Sequence, residues 1–212
     1  MKTLRSLAFA AIFAALLLLA AGGCPSKKGQ SLTRPNVVLI VVDTLRADAV
    51  GALGSKEELT PHIDQLTAES VVFTQAYAPS SWTLPSCASL FTGLYAPVHG
   101  VEKSLQVVGK VLTQDALSNE YNTLTERLGR LGYFTIGLVA NQHLQPEFGF
   151  SQGFNEYTVR PWQRGSWLTE QVSRSIRGWR KQAPFFLYLH YIDPHEPYDI
   201  HKTTPLDLND ET

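Results

Sequence analysis

Apolar residues in this chain are gathered into short runs, and between these runs they recur at helical spacing. Runs rich in β-branched and aromatic residues predict strands, at 36–43, 71–77, 133–140 and 185–192. The runs at 36–43 and 185–192 are apolar at nearly every position, which is typical of strands buried on both faces. We therefore expect a sheet in the interior of the domain.

Helical patterns separate these strands. They predict helices at 60–70, 85–94, 122–131 and 167–181. Pro61 suits the first turn of the first helix, and Gly132 suits the position just after the third. Strands that alternate with helices predict an α/β fold, with a mostly parallel sheet sandwiched between helices.

Polar residues directly follow three of the predicted strands, namely Asp43, Asn141 and Asp193. Parallel α/β sheets bind ligands at the carboxyl ends of their strands, so this edge of the sheet is the candidate site. An Asp after an apolar strand is most often a turn or cap residue, and position alone does not assign it a chemical role.

Residues 1–23 are predicted to be a signal peptide. Lys2 and Arg5 give the start of the chain a positive charge. The uninterrupted apolar run of 15 residues that follows, at 7–21, is short for a bilayer span and suits a secretory signal. The sequence A-G-G-C at its end resembles a bacterial lipoprotein cleavage site, which would make Cys24 the lipidated residue. Ordinary cleavage and an uncleaved anchor are the alternatives.

The rest of the chain is expected to be a tether at 24–35 and a single domain at 36–212. A lipid on Cys24 would anchor this domain in the bacterial cell envelope, on an exported side of the membrane. Cys87 would then be the only remaining thiol, since the chain has two cysteines, and no intrachain disulfide is expected. The net charge is −1 and no basic stripe is visible, so nucleic acid is not an expected partner.

The segment 83–93 reads T-L-P-S-C-A-S-L-F-T-G. It resembles the signature of the sulfatase family, within the alkaline phosphatase superfamily, in which a nucleophile is followed by x-P-S-x-A-S-L-x-T-G at the start of a helix. Thr83 stands at the nucleophile position, where a sulfatase carries a Cys or Ser that is oxidised to formylglycine. A secondary alcohol cannot follow that route to an aldehyde. The resemblance implies an unmodified Thr83 nucleophile, whereas the residues alone favour a helix N-cap at this position.

The resemblance also implies a divalent cation, commonly calcium, bound in the family through two acidic residues after the first strand. Asp43 matches the first of these residues, and Thr44 replaces the second. Hard cations favour anionic oxygen ligands. We expect Ca²⁺, with Zn²⁺, Mn²⁺ or Mg²⁺ as alternatives, at a site formed by Asp43 and Thr83, with Thr44 as a further candidate ligand.

Two later segments continue the resemblance. A-N-Q-H-L at 140–144 occupies the place of G-K-W-H-L in many sulfatases, so His143 matches an active-site histidine and Asn141 replaces a lysine. H-Y-I-D-P-H-E-P-Y at 190–198 makes His195 the match for a histidine that reaches the substrate anion or the leaving group. We expect His190 and Asp193 to shape this turn.

Cys87 departs from the family pattern, which has Arg at its position, and we assign the thiol no catalytic role. The chain contains no D-H-G or D-N-G segment, with which the family completes its metal site much later in sequence. The sequence is therefore expected to be an amino-terminal portion, with an incomplete sheet. The function that the resemblance implies is metal-dependent hydrolysis of sulfate or phosphate esters through a covalent intermediate. The alternative is an inactive, membrane-tethered binding protein or a truncated fragment.

Overall fold

A computed structural model describes residues 34–103, 106–108, 111–178 and 184–196. The predicted signal peptide, the lipidation site Cys24 and most of the tether lie outside these residues. Contacts between Cα atoms divide the chain into 1–34 and 35–212, and the second unit is the one described below. Within the described residues, no helix is both long and apolar enough to cross a membrane.

Strands in the described residues form two sheets. Their bounds are β1 Val37–Val42, β2 Gln106–Val108, β3 Val111–Thr113, β4 Phe134–Val139, β5 Glu156–Val159 and β6 Phe185–Tyr191. The main sheet has four strands in the order β1-β6-β4-β5, and every pair in it is parallel. The other two strands form an antiparallel pair. The predicted parallel sheet is confirmed.

Helices connect these strands. Their bounds are α1 Pro61–Thr67, α2 Thr83–Thr92, α3 Ala96–His99, α4 Leu124–Arg130 and α5 Gly165–Gly178. α2 ends where Gly93 adopts a φ of 72°, a left-handed conformation that favours glycine. α4 begins with a capping box, in which the side chains of Thr123 and Glu126 bond each other's backbone N–H groups.

Helices cover both faces of the sheet around β6. Phe186 and Tyr188 point to one face and pack in a buried cluster with residues of α2. Partly buried side chains of α4 pack against this cluster. Leu187 and Leu189 point to the other face, where they pack in a second buried cluster with Leu168 of α5. The predicted sandwich is therefore present at the centre of the sheet, and it supports the strand ends that carry the polar residues.

One predicted strand is wrong. The segment 71–77 forms no strand, and Val71 and Phe73 are 82% and 77% exposed. A strand needs a neighbour to satisfy its backbone groups, and no described strand pairs with this segment. Conversely, β5 lies outside the four predicted strands, and it forms because its backbone pairs with β4.

Candidate active site

Asp43 lies at the centre of the candidate site. It follows β1, and its backbone N–H donates to the Tyr191 carbonyl at 2.9 Å, which extends the pairing of β1 with β6 by one residue. One carboxylate oxygen, Oδ2, is reached by three groups. They are Thr83 Oγ1 at 2.9 Å, Asn141 Nδ2 at 2.6 Å and His190 Nε2 at 3.3 Å. We call these four residues the Asp43 cluster.

The Asp43 carboxylate is stabilised in its ionised form. Burial raises the pKa of this carboxyl, but the hydrogen bond and the electrostatic interaction with His190 lower it, and the bonds from Thr83 and Asn141 lower it further. The net result is a pKa below the usual value for Asp. Asp43 is therefore an anion at neutral pH, and it accepts a hydrogen bond from the candidate nucleophile.

Thr83 is the first residue of α2, and Trp82 occupies the N-cap position. The Thr83 hydroxyl does not cap the helix, because its hydrogen bonds are with Asp43 and, at 3.5 Å, with Asn141. The amino end of a helix carries unpaired N–H groups and a partial positive charge, which favour an anion. The fold thus places a hydroxyl between a carboxylate and a helix end suited to an anionic ester.

Sequence reasoning missed Asn141 and His190 as members of this site. Asn141 is 1% exposed, and its Oδ1 accepts from the His143 backbone N–H at 2.8 Å, which turns its Nδ2 toward Asp43. His190 is also 1% exposed and lies in β6 beside Val41 of β1. The signal in the sequence was a polar residue near the carboxyl end of an otherwise apolar strand. The functional role was assigned to His195 instead, because His195 lies in the neighbouring P-H-x-P motif.

His143 lies close enough to Asp43 and His195 for their charges to affect its pKa. Its Nδ1 is 3.1 Å from Gln114 Oε1, and the Gln114 amide donates to the His143 carbonyl at 2.8 Å. Burial lowers the pKa of His143, the Asp43 charge raises it and the His195 charge lowers it. The net pKa is lowered, so the ring is neutral at pH 7.

His195 lies on the loop after β6 and makes no hydrogen bond to the Asp43 cluster. Its Nδ1 contacts the Glu196 carbonyl at 2.7 Å, and its ring meets the Trp162 ring edge-to-face, with centroids 5.5 Å apart. Trp162 itself is 48% exposed and has a φ of 61°, a left-handed conformation that is unusual for a bulky residue. Asp193 accepts from the Gly165 N–H at 2.8 Å, which ties this loop to the first residue of α5.

Two oxygen groups among the described residues are chemically suited to a cation. Asp43 Oδ1 takes no hydrogen bond from them, and the Thr83 hydroxyl is adjacent, so both fit as oxygen ligands. The Thr44 hydroxyl instead donates to the Asp43 carbonyl at 2.7 Å, on a residue with a φ of 57°. No group of three His, Cys, Asp or Glu in the described part of the chain is arranged to hold a metal ion. Among the residues that the structure describes, Asp43 thus offers one carboxylate to a cation and has no second carboxylate grouped with it.

Cys87 is buried in α2, and its Sγ is 3.9 Å from the Tyr188 hydroxyl. Burial raises the pKa of its thiol to about 12, although the bond to Tyr188 opposes this. The thiol is therefore protonated and shielded, in keeping with a packing role.

Solved structures define the class of protein. A protein solved in complex with its substrate D-glucosamine-2-N,6-O-disulfate superposes with a TM-score of 0.67 at 18% identity, over 79% of this chain and 36% of that one. The phosphonate monoester hydrolase of Agrobacterium radiobacter gives 0.60 at 24% identity, over 80% of this chain and 43% of that one. The fold is therefore the α/β fold of sulfatase and alkaline phosphatase-like proteins.

Sequence comparison then identifies the family. The sulfatase family model matches residues 35–207, and the chain belongs to this family. Human arylsulfatase A is 34% identical over 152 residues, which cover 69% of this chain and 28% of that protein. The arylsulfatase of Clostridium perfringens is 32% identical over 115 residues, which cover 54% of this chain and 22% of that protein. The chain thus matches about a quarter of the length of these relatives.

Proposed function

We propose that this chain carries the nucleophile-bearing part of an active site that hydrolyses sulfate or phosphate esters, with unmodified Thr83 as the nucleophile. The observation that supports this most directly is the 2.9 Å hydrogen bond from Thr83 Oγ1 to Asp43 Oδ2 at the start of α2. A hydroxyl needs such help, because free threonine is a poor nucleophile at neutral pH.

In the proposed reaction, the ester binds with its anionic oxygens facing the amino end of α2. Thr83 Oγ passes its proton to its hydrogen-bond partner, Asp43 Oδ2, and attacks phosphorus or sulfur; the bond to the ester oxygen breaks, and the alcohol leaves. His195 gives a proton to the leaving oxygen, since its Nε2 has no hydrogen-bond partner among the described residues and its Nδ1 is held by Glu196. Water then attacks the Thr83 ester and gives a proton to His195, the Thr83 oxygen leaves, and Asp43 returns the proton that restores the Thr83 hydroxyl. His143 lines the site as a neutral ring.

Sulfatases generally bind a divalent cation, often Ca²⁺, and we propose one here. Asp43 and Thr83 would hold it from this chain, with Thr44 as a further candidate. When bound, such a cation lowers the pKa of a hydroxyl and neutralises an ester anion. Because the described residues form only part of a cation site, the remaining ligands would come from outside them.

Phosphate esters are at least as suitable as sulfate esters for this site. Sulfatases typically depend on formylglycine, which Thr83 cannot become. An unmodified hydroxyl suits a phosphoester. The fold of this chain is also similar to that of a phosphonate monoester hydrolase, which acts on a phosphorus ester. We therefore expect Thr83 to react with phosphorus at least as readily as with sulfur.

The test is a side-by-side assay of the full chain with Ca²⁺, using an aryl phosphate, an aryl phosphodiester and an aryl sulfate. We expect turnover that is at least as fast on the phosphorus substrates, together with a Thr83 peptide that gains one phosphoryl group in rapidly quenched samples. A clear preference for sulfate with Thr83 unmodified would overturn the proposed chemistry. Thr83→Ala is the matched control for background hydrolysis.

A second candidate function is a binding protein that retains the fold without the reaction. Thr44 in place of a second carboxylate is the observation that favours it. Titration of Ca²⁺ against the melting temperature separates the two, because a ligand that binds only the folded state stabilises it. An absent shift together with absent turnover would favour the binding protein.

We further propose that the protein is exported and lipid-anchored through Cys24. The test is fractionation of bacterial cells that produce the full chain or Cys24→Ala. We expect the unaltered protein in the membrane fraction and the variant outside it. Equal membrane association of both would contradict the anchor.

A further inference from the structure

We propose that His190 is a positioning residue for Asp43, and that Tyr188 holds the His190 ring in the tautomer that donates from Nε2. The kinetic part of this proposal rests on the proposed function, whereas the tautomer does not depend on it. His190 begins the H-Y-I-D-P-H-E-P-Y segment, where it was expected only to shape the turn, and the tertiary structure brings its ring to Asp43.

His190 is held on both sides. The ring is 1% exposed and belongs to β6, where its neighbours in register are Val41 of β1 and Val139 of β4. Its Nδ1 is 2.7 Å from the Tyr188 hydroxyl, and its Nε2 is 3.3 Å from Asp43 Oδ2. Both nitrogens of this buried ring therefore have a polar partner, and neither faces water.

The partners determine where the proton lies. A carboxylate can only accept a hydrogen bond, so the contact with Asp43 requires a proton on His190 Nε2. A neutral imidazole carries one N–H, which leaves Nδ1 as an acceptor for the Tyr188 hydroxyl. With its proton directed to Nδ1, the Tyr188 oxygen is left as an acceptor for the Cys87 thiol, whose Sγ is 3.9 Å away. The result is a chain of donors that runs from the core to Asp43.

Asp43 needs this support because its own backbone does not determine the direction of its side chain. It sits at a turn, followed by Thr44 with a φ of 57°. Asn141 and His190 come from the ends of two adjacent strands, β4 and β6, and both reach Oδ2. Two donors on a rigid sheet thus orient the carboxylate so that the same oxygen faces Thr83 Oγ1.

The variants His190→Gln and His190→Asn separate orientation from mere occupancy. The amide nitrogen of Gln lies near the position of imidazole Nε2, and that of Asn lies near the position of Nδ1. We expect His190→Asn to lower kcat by about 10- to 100-fold, which is the usual effect of removing the partner of a site residue. We expect His190→Gln to recover most of this loss, with KM little changed in both variants. Equal kcat in the two variants would overturn the positioning role.

Nitrogen-15 NMR of the histidine rings tests the tautomer without any turnover. His190 signals are assigned as those missing from the His190→Gln spectrum of the full chain. We expect the pattern of an Nε2–H tautomer in the unaltered protein, and a displaced Nδ1 signal in Tyr188→Phe, because that nitrogen loses the hydroxyl that donates to it. An Nδ1–H tautomer, a doubly protonated ring, or an unchanged spectrum in Tyr188→Phe would overturn the proposal.

Controls distinguish this failure from failure of the proposed function. Melting curves show whether each variant folds. If His190→Asn does not fold, Tyr188→Phe serves as the kinetic test in its place. If Thr83→Ala retains activity, the proposed function fails while the tautomer result still stands. If the unaltered protein shows the Nε2–H tautomer but the Gln variant does not recover kcat, the positioning role alone fails.

Discussion

The Asp43 cluster and the outer pair of histidines, His143 and His195, differ in what holds their side chains. The cluster lies at the ends of strands, and hydrogen bonds among its own members converge on one carboxylate oxygen. The outer pair lies outside the strands, with His143 in a short 3-10 helix at Gln142–Leu144 and His195 in a loop, and each ring is held through Nδ1 by Gln114 or by the Glu196 carbonyl. Within the described residues, the Nε2 atom of each outer ring has no hydrogen-bond partner.

The difference separates two tasks. A cluster that is partly buried and bonded to itself can hold a nucleophile at a fixed distance from an anion, and its geometry is preorganised. A ring on a loop with an open nitrogen can meet a substrate and exchange a proton with it. Substitutions in the cluster should therefore act on every substrate alike, whereas substitutions in the outer pair should depend on the leaving group or on pH.

The largest effect is expected at Thr83. Thr83→Ala removes the nucleophile and should reduce kcat/KM by at least about 10³-fold on every ester, because loss of a nucleophile removes the covalent route. Thr83→Ser keeps a hydroxyl and should retain most of the activity. Kinetics with an aryl phosphate measure both variants. Comparable activity in Thr83→Ala would show that the cluster does not supply the nucleophile.

A smaller effect that depends on the substrate is expected at His195. His195→Gln should lower kcat by about 10²-fold for an alkyl ester, whose alcohol needs a proton to leave, in line with the usual contribution of a general acid. The loss should be much smaller for a nitrophenyl ester, because nitrophenolate leaves without a proton. Parallel assays of the two esters give the ratio. An equal loss of kcat on both esters would show that His195 has a structural role and is not the general acid.

The next effect concerns Asn141. Asn141→Ala removes one of the donors to Asp43 and should lower kcat by about 10- to 100-fold, irrespective of the leaving group. It should also lower the free energy of unfolding by about 1–3 kcal/mol, since a buried charge loses a hydrogen bond. Kinetics on two esters and urea unfolding measure these effects. A loss that varies with the leaving group would contradict its place in the cluster.

The smallest effect is a pH dependence at His143. Burial lowers the pKa of this ring in the folded state, so the unfolded chain takes up a proton more readily. Stability should therefore fall as the pH decreases below about 6.5, the ordinary pKa of His, and through the lowered folded value. His143→Gln should flatten this decline. Urea unfolding at several pH values between neutrality and the acid limb compares the two proteins. Identical curves would show that protonation of His143 does not affect folding.

Particular elements show how much could be predicted from the sequence. The strands at β1, β4 and β6 were predicted within one residue at each end, because long apolar runs leave few alternatives. The prediction of a strand at 71–77 was wrong, although the composition of this segment is equally typical of a strand. Composition reports what a segment can form, and pairing depends on whether a neighbouring strand is available.

The candidate site divides in the same way. Thr83 and Asp43 were predicted from motifs 40 residues apart, and the structure brings them within 2.9 Å. Asn141 was noticed at its strand end without a role in the cluster, and His190 was assigned to the turn. The partners of both residues are 98 and 147 positions away in sequence, so no local pattern could show them.

The sequence by itself determined the family, the alternation of strands and helices, and the exceptional Thr83 at the nucleophile position, because these depend on local patterns of residue type. Only the tertiary structure decided that the Thr83 hydroxyl bonds Asp43 instead of capping α2, and that Asn141 and His190 reach the same oxygen. Those contacts follow from the strand order β1-β6-β4, which places three distant chain segments at one edge of the sheet. Hydrogen bonds act over a few ångströms in space, and the distance along the chain does not restrict them.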